Sequence, residues 1–459
     1  MSSSTEEQSG TSSQSSLSNW SKEQLTGKSV AFVEGLPEET ASRLSISSAP
    51  KRKSVSKAPK DEGIDPALWG RPGHLTDAEA DTYLQFKKVI DLPSGDFRDT
   101  IFCFGEEEGE VYALCRWLRA RKFVYDDVMV MVKEATKCEA EAKKALFYAD
   151  PAAALGCPQA FYNRQYPQVY SGIAKNGMPV FYSKVGLIDI DAIECITTIA
   201  NIVKYHWYVM IHDFANRLRN QKKSNPEFNR FECVCVMDLA NLSMGQLNSR
   251  TLSLIKEQSA IDSLCFPETL NKMYLINSPR FFSATWTIIK GWLDPRTASK
   301  VEVISNRKVW EKSLLDYIDA DQLPADYGGK GPITQDSMDK EGFTGKLKSL
   351  NSEVLYVRTS ASTKCEVQAG EELEINVYTR STIGAKFNVF DANNKAGTNW
   401  ATDVPVKHIG EDPEKMPSSL TLTKQNIKGP ASVEVKAKSM GGRFAGSANY
   451  LVVFSVMNP

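Results

Sequence analysis

The sequence predicts an α/β domain with a helical N-terminal lobe, followed by an all-β sandwich. Three observations point there. Between Met178 and Gly329 short β-like runs alternate with helical stretches, the pattern of βαβ units around a largely parallel sheet. Beyond Lys348 six strand-sized runs follow one another without a helix-length segment, which is the texture of a β-sandwich. The chain has 459 residues, more than one hydrophobic core usually organises, so more than one folded part is expected.

In chain order, residues 1–65 are dominated by Ser, Thr, Glu, Lys and Pro, with too few large apolar side chains to offset the entropy of ordering, and are expected to be a disordered tail. Within them KRKSVSKAPK places Lys51, Arg52, Lys53, Lys57 and Lys60 beside Ser54 and Ser56. This reads as a solvated linker, or as a basic patch whose pull on anionic lipid phosphorylation would weaken. Residues 75–160 read as a helical lobe: from Thr76 the pattern turns helical, and Val111, Leu114, Cys115 and Leu118 share one helix face. Over 161–332 the α/β pattern takes over. Its β-like runs are MPVFYSKV, FECVCVMDL, KMYLINS and KVEVI, and helical stretches over 191–221, 247–264 and 280–292 separate them. The sandwich is expected over 351–459, from VLYVRTS, ELEINVYT, AKFNVFD, SLTLTK, SVEVKAKS and NYLVVFSV.

Composition narrows the function. Fifty-five basic against 56 acidic side chains create no global field that would draw the protein onto nucleic acid. Nine cysteines, without CxxC pairs or zinc-finger spacing, fit a reduced, cytoplasmic compartment. Neither a secretory leader nor an apolar stretch of spanning length is visible.

Enzyme signatures are weak. Cys115 and Arg121 satisfy the C-x5-R spacing of cysteine phosphatases, but RWLRA between them has no glycine to turn a phosphate loop. His74, His206, His212 and His408 lack metal-ligand spacing, and neither GxxxxGK[ST] nor GxGxxG occurs. Asp238 after the MDL strand reads as a loop or helix cap. No catalytic residue, metal or cofactor is therefore expected.

The segment YLINSPRFFSATWTIIKGWLDPRTASK is apolar on nearly every side of its helix, through Phe281, Phe282, Ala284, Trp286, Ile288, Ile289, Trp292 and Leu293, which leaves no polar face for water. It reads as a core helix, or as one lining a lipid cavity. CRWLRARKF sets Arg116, Arg119, Arg121 and Lys122 at a helix end, where they either cap an exposed terminus or meet an anion.

RWLRARKF, MDLANLS, FPETLNKMYLINSPRFF, WLDPRTASK and QLPADYGGK occur in the order found in the CRAL-TRIO family. Over residues 75–332 the chain resembles yeast-type phosphatidylinositol transfer proteins. Residues 351–459 resemble the GOLD β-sandwich that follows this domain in patellins and related members, without the usual PGxYxLxFDN-like signature. The resemblance implies one enclosed phospholipid and a swinging gate helix, here FFSATWTIIKGWL with Phe281, Phe282, Trp286, Ile289 and Trp292. It places the headgroup residues on Arg121, Lys122, Glu268, Thr297 and Lys300. Arg and Lys suit phosphate oxygens, Glu268 can pair the lysine, and Asp294 could take ring hydroxyls.

Where phosphatidylcholine-binding relatives carry Ser and Thr, this chain has Cys233 and Cys235, two apart on a strand and so facing one side. That face is core or cavity, and a second ligand less polar than a choline lipid is expected. The resemblance thus implies transfer or presentation of phosphatidylinositol at cytoplasmic membrane surfaces, peripherally bound, with protein partners possible through 351–459. Two rivals stand beside it: a carrier of a tocopherol, retinoid or squalene, and a trafficking adaptor acting through its sandwich.

Overall fold

The structure is a computed structural model that describes residues 20–27, 65, 67–91, 97–145, 147–393, 397–410, 416–442 and 445–458. The Ser-rich stretch 1–65 thus lies outside the described residues except at 20–27 and 65, and KRKSVSKAPK lies outside them entirely. Where that stretch is described, the expectation of disorder is corrected. Helix α1 (Lys22–Thr26) starts in a reciprocal capping box between Ser21 and Gln24, Leu25 is fully buried, and Trp20 meets Tyr112 edge-on at 6.4 Å. Composition over 65 residues hides so short an anchor.

The chain divides into two compact units, Met1–Phe102 with Gly109–Val130, and Cys103–Glu108 with Met131–Pro459. The first holds α2 (Asp77–Ile90), α3 (Phe97–Ile101), α4 (Glu110–Ala120) and the start of α5 (Tyr125–Ala145). Thr76 and Glu79 form the capping box that begins α2. On α4, Val111, Leu114, Cys115 and Leu118 are buried as their spacing predicts, yet Arg116 and Arg119 are buried too. These two cations therefore do not finish an exposed helix end. Arg116 donates from Nη2 to the Ile101 carbonyl at 3.3 Å and lies over the Trp117 ring, which replaces the water a guanidinium gives up on burial.

In the second unit α6 (Pro151–Leu155) and α7 (Gln159–Gln165) lead into a five-stranded sheet. Its strands are β1 (Gln168–Ile173), β2 (Pro179–Ser183), β3 (Cys233–Asp238), β4 (Leu270–Ile276) and β5 (Val301–Ile304), in that spatial order. β1 is antiparallel to β2, and β2 to β5 are parallel. Between β2 and β3 run α8 (Ile190–Ile196), α9 (Ile199–Tyr208), a π-helical stretch at Val209–Phe214, and α10 (Ala215–Ser224). α11 (Ser249–Cys265) joins β3 to β4, and α12 (Phe282–Lys290) with α13 (Pro295–Ser299) joins β4 to β5. α14 (Arg307–Tyr317) and α15 (Thr334–Gly342) follow.

Strand alternation gives the sheet two unlike faces. One carries Val180, Tyr182, Val234, Val236, Tyr274 and Ile276, all at most 3% exposed. There Tyr182 stacks on Tyr327 at 5.1 Å, and Trp310 of α14 meets Tyr327 edge-on and donates from Nε1 to Asn277 Oδ1 at 3.1 Å. The opposite face, described below, is less completely covered.

The last part is a sandwich of two antiparallel sheets. One is ordered β10-β9-β13-β7, the other β11-β8-β14-β6 with β12 also on β8. The strands are β6 (Leu347–Val357), β7 (Ser360–Val367), β8 (Glu372–Thr379), β9 (Ala385–Asp391), β10 (Asn399–Val406), β11 (Ser418–Thr421), β12 (Ile427–Lys428), β13 (Ala431–Ser439) and β14 (Ala448–Met457). β6 begins at Leu347, so a boundary at 351 cuts through a strand.

β14 is buried on both sides. Tyr450, Val452, Phe454 and Val456 enter the sandwich core, while Leu451 and Val453, with Leu350 of β6, enter a second core built from α6 to α9. Gln165 donates to Ser352 at 2.8 Å and Tyr356 to Asp191 at 3.1 Å along the same seam.

Candidate functional site

The less covered sheet face is built by a row paired in register across all five strands, Tyr170, Phe181, Cys235, Met273 and Val301. Cys233, Met237, Leu275 and Val303 share this face by alternation. At the β1 side Tyr170 stacks on Phe214 of the π-helical stretch at 6.0 Å, and the Arg217 guanidinium lies over the Tyr170 ring at 4.8 Å. At the β4–β5 side α12 lies over the sheet: Phe281, Phe282, Trp286 and Ile289 pack with Met237, Met273, Leu275 and Val301. Cys233, Met237, Met273 and Val301 are only half-buried, and Val303 is 40% exposed, although they stand on interior or parallel strands. An apolar sheet face with this much exposure is surface that a hydrophobic ligand could cover.

α12 corrects the sequence reading. It has an outward face: Ser283, Ala284, Thr287, Ile288 and Lys290 are exposed, as is Trp292 just after it. The Ser283 and Thr287 hydroxyls donate to the carbonyls of Arg280 and Ser283 at 3.2 and 3.0 Å, so small polar residues satisfied by the helix itself take the water-facing side. Of the five gate residues expected, Phe281, Phe282, Trp286 and Ile289 face the sheet and Trp292 does not.

A charged cluster stands at the leading ends of β4 and β5. Glu268 pairs with Lys300 (Oε2 to Nζ, 3.2 Å) and with Arg296 (Oε1 to Nε, 3.2 Å), its side chain being 9% exposed. Burial, the largest influence, pulls the Lys300 ammonium below its ordinary pKa, against the opposing pull of Glu268 and Glu232. Glu268 holds a left-handed backbone at φ 60°, which a residue with a Cβ adopts at a cost of roughly 1–3 kcal/mol and which aims its carboxylate at both cations. Behind the cluster the buried Glu232 accepts from Asn271 at 2.7 Å, and Asn271 in turn accepts from the Tyr317 hydroxyl.

The expected headgroup residues are thus only partly brought together. Glu268 and Lys300 are in contact. Thr297 is half-buried on α13, between Arg296 and the buried Ala298. Asp294 is the N-cap of α13, its Oδ1 accepting the Arg296 N–H at 2.8 Å, and it is exposed. Arg121 and Lys122 belong to the first unit, at the end of α4, where Lys122 and Phe123 are left-handed at φ 52° and 58° and the Phe123 N–H returns to the Leu118 carbonyl. Sequence reasoning missed Arg296, which shared the quoted DPRTASK motif and needed only a count of charges against Glu268. It also missed Glu232, which nothing in its local pattern distinguishes.

The two cysteines do share a side of β3, with their sulfurs 3.6 Å apart. Cys235 is buried and Cys233 half-buried. Cys115, in contrast, sits fully buried within α4 with its thiol pushed up to about 12 by burial. Asp238 caps the loop after β3, accepting from the Ala240 N–H at 2.9 Å, from Asn277 at 2.8 Å and from the Tyr327 hydroxyl at 3.2 Å. Among the described residues no helix is long and apolar enough to cross a membrane.

The family described as CRAL/TRIO domain matches residues 163–329. The phosphatidylinositol/phosphatidylcholine transfer protein SFH4 of Arabidopsis thaliana is 29% identical over 276 residues, 58% of this chain and 41% of that protein. The SEC14 cytosolic factor of Candida glabrata is 28% identical over 277 residues, 59% of this chain and 83% of that protein. The match therefore spans less than half of the plant relative and most of the yeast one. Among solved structures Sfh5 aligns with a TM-score of 0.35 at 17% identity, over 50% of this chain and 76% of that one. Residues 163–329 are thus similar to the CRAL/TRIO domain, and a large all-β region of antiparallel sheets follows them.

Proposed function

We propose that this protein binds one phospholipid, phosphatidylinositol, against the half-covered sheet face and exchanges it between cytoplasmic membrane surfaces, with α12 as the door. The observation that carries the reading is the conjunction of an incompletely covered apolar sheet face, a one-helix cover, and cations at the leading edge of β4 and β5. Each buried acyl CH₂ contributes about 0.8 kcal/mol, so two chains bind strongly only if the cover closes over them and leave only if it opens. The relatives' printed names, as transfer proteins for phosphatidylinositol and phosphatidylcholine, support the same reading. In it Lys300 and Arg296 take the phosphate, Thr297 offers a hydroxyl, and Glu268 holds both cations in place between ligands. Arg121 and Lys122 remain headgroup candidates through the motif they carry.

Purified protein moving labelled phosphatidylinositol between vesicles, and losing that transfer with Thr297→Ala and Lys300→Ala, is the expected result. Lys300→Ala with full transfer would remove the headgroup assignment.

The thiols favour one refinement. Cys233 and Cys235 offer weak hydrogen bonds where hydroxyls would hold a choline lipid, so the second ligand is read as a less polar hydrophobe. Mass spectrometry of lipid that co-purifies with the protein tests this, and a choline lipid as the major species would refute it. The sandwich is read as GOLD-like and as the surface for protein partners. A pull-down with it should begin before Leu347, where β6 starts.

A further inference from the structure

Two thiols stand side by side on β3, and their spacing suits an ion better than a disulfide. Cys233 and Cys235 lie two apart on one side of the strand, both free, with their sulfurs 3.6 Å apart. A rise of ~3.3 Å per residue separates their Cα atoms by about 6.6 Å, so the sulfurs lean toward one another across that gap. Such a Cα separation is at the far limit for a disulfide, which leaves two adjacent thiols rather than a bond between them.

Thiols at this distance match the bite of a metal ion. With sulfur–metal bonds of about 2.3 Å, a gap of 3.6 Å closes at an S–metal–S angle of about 103°, near the tetrahedral value and far from a straight line. A bent pair calls for further donors. Among the described residues no group of three or more His, Cys, Asp or Glu side chains stands together, so the donors that complete a structural zinc site do not surround the pair. What the sheet supplies is thioether sulfur. Met273 of β4 is level with Cys235 in the register, and Met237 lies two residues further along β3 on the same side. Both are half-buried and pack beneath α12 with Leu275 and Phe282. Methionine is unbranched and turns about three side-chain bonds, so its sulfur can reach a neighbouring site without movement of the strand. Thiolate and thioether together are soft donors, a set that selects Cu(I) over calcium or magnesium.

We propose that Cys233 and Cys235, completed by the Met273 and Met237 thioethers, form a binding site for Cu(I) on the sheet face beneath α12. Each cysteine sulfur gives its proton to water as its bond to copper forms, so one Cu(I) displaces two protons and no electron moves. The ion enters from the side of Cys233, which is half-buried, whereas Cys235 is 7% exposed. The site follows from the sulfur geometry and stands independently of the lipid reading.

Full-length protein, kept reduced and free of oxygen, is titrated with Cu(I) carried by the coloured chelator bicinchoninate. The expected result is removal of one Cu(I) per chain from the chelator, and an X-ray absorption spectrum with only sulfur neighbours around copper. The double variant Cys233→Ser/Cys235→Ser should lose this uptake. Met273→Leu, which conserves side-chain volume, should still bind copper but with one sulfur fewer around it. If the double variant fails to fold, the spectra of the parent and of Met273→Leu decide. Uptake retained in the folded double variant, nitrogen or oxygen neighbours in the parent, an unchanged sulfur count in Met273→Leu, or equally tight uptake of zinc overturns the proposal. No lipid enters these measurements, so their failure is distinct from a failure of the transfer reading.

Discussion

Taking the carboxylate away from Glu268 leaves Lys300 and Arg296 facing one another where little water reaches them. Removing one member of a buried ion pair costs about 3 kcal/mol or more, so Glu268→Ala is expected to lower unfolding free energy by about that amount in urea titrations. Lys300 carries a second, pH-dependent signature. Its folded pKa lies below the ordinary lysine value, so between the two the unfolded chain holds the proton more tightly and stability rises with pH. Lys300→Met should flatten that alkaline rise relative to the parent, as read from urea midpoints at stepped pH. At this scale the sequence displayed the residue types, since Glu268, Thr297 and Lys300 all lie in quoted motifs. It could not display which of them touch. The Glu268–Arg296 pair depends on a left-handed turn at Glu268 and on the single tight turn of α13, and the service of Asp294 as a cap depends on where α13 begins.

Among the elements, α12 separates stability from exchange. Its inward Phe282 is 4% exposed, and Phe282→Ala should cost about 3 kcal/mol through a cavity against the sheet. Its outward Ile288 is 52% exposed, and Ile288→Ser should stay within about 0.5 kcal/mol of the parent. If α12 is the door, Phe282→Ala also raises the rate of lipid exchange while Ile288→Ser leaves stability alone, a contrast that paired urea and vesicle measurements read directly. β1, whose burial is confined to Val169 and Tyr170, was not legible, whereas the other four α/β strands and the six sandwich runs were, because period-2 patterning and apolar runs are local. Three sandwich strands were not. β7, SASTKCEV, turns small residues inward, so its alternation is faint. β10 is an edge strand broken by Pro405, by Asp403 at φ 51° and by register shifts, and β12 is two residues long. The outward face of α12 escaped notice because Ala and Ile occupy part of it, and hydropathy does not show which way a helix turns.

For the molecule beyond its first unit, the seam between helices and sandwich governs how it unfolds. Leu350, Leu451 and Val453 lie in the same apolar cluster as Ala154, Tyr162, Ile193 and Tyr205, so the two sides share that cluster, while the sandwich keeps a core of its own. Val453→Asp puts a charge into that cluster and is expected to cost about 4 kcal/mol and to lower the melting of both parts together. Calorimetry of the parent should show the α/β sheet and the sandwich melting in one transition, and two well-separated transitions would contradict the shared core. That β14 is apolar at consecutive positions, YLVVF, is the one trace of this seam in the sequence, since a strand wet on one face would alternate.

The seam also sets an order of events on the ribosome. α9 is finished near residue 208, but the strand that covers its cluster begins only at Ala448. At ~5–20 residues per second the intervening stretch takes roughly 10–50 s to synthesise, and until β14 emerges the part of the cluster that Leu451 and Val453 cover stands open, Leu254 and Leu350 having closed only the rest. Chaperone engagement of this chain should therefore peak after the α/β sheet is complete and end abruptly when β14 emerges.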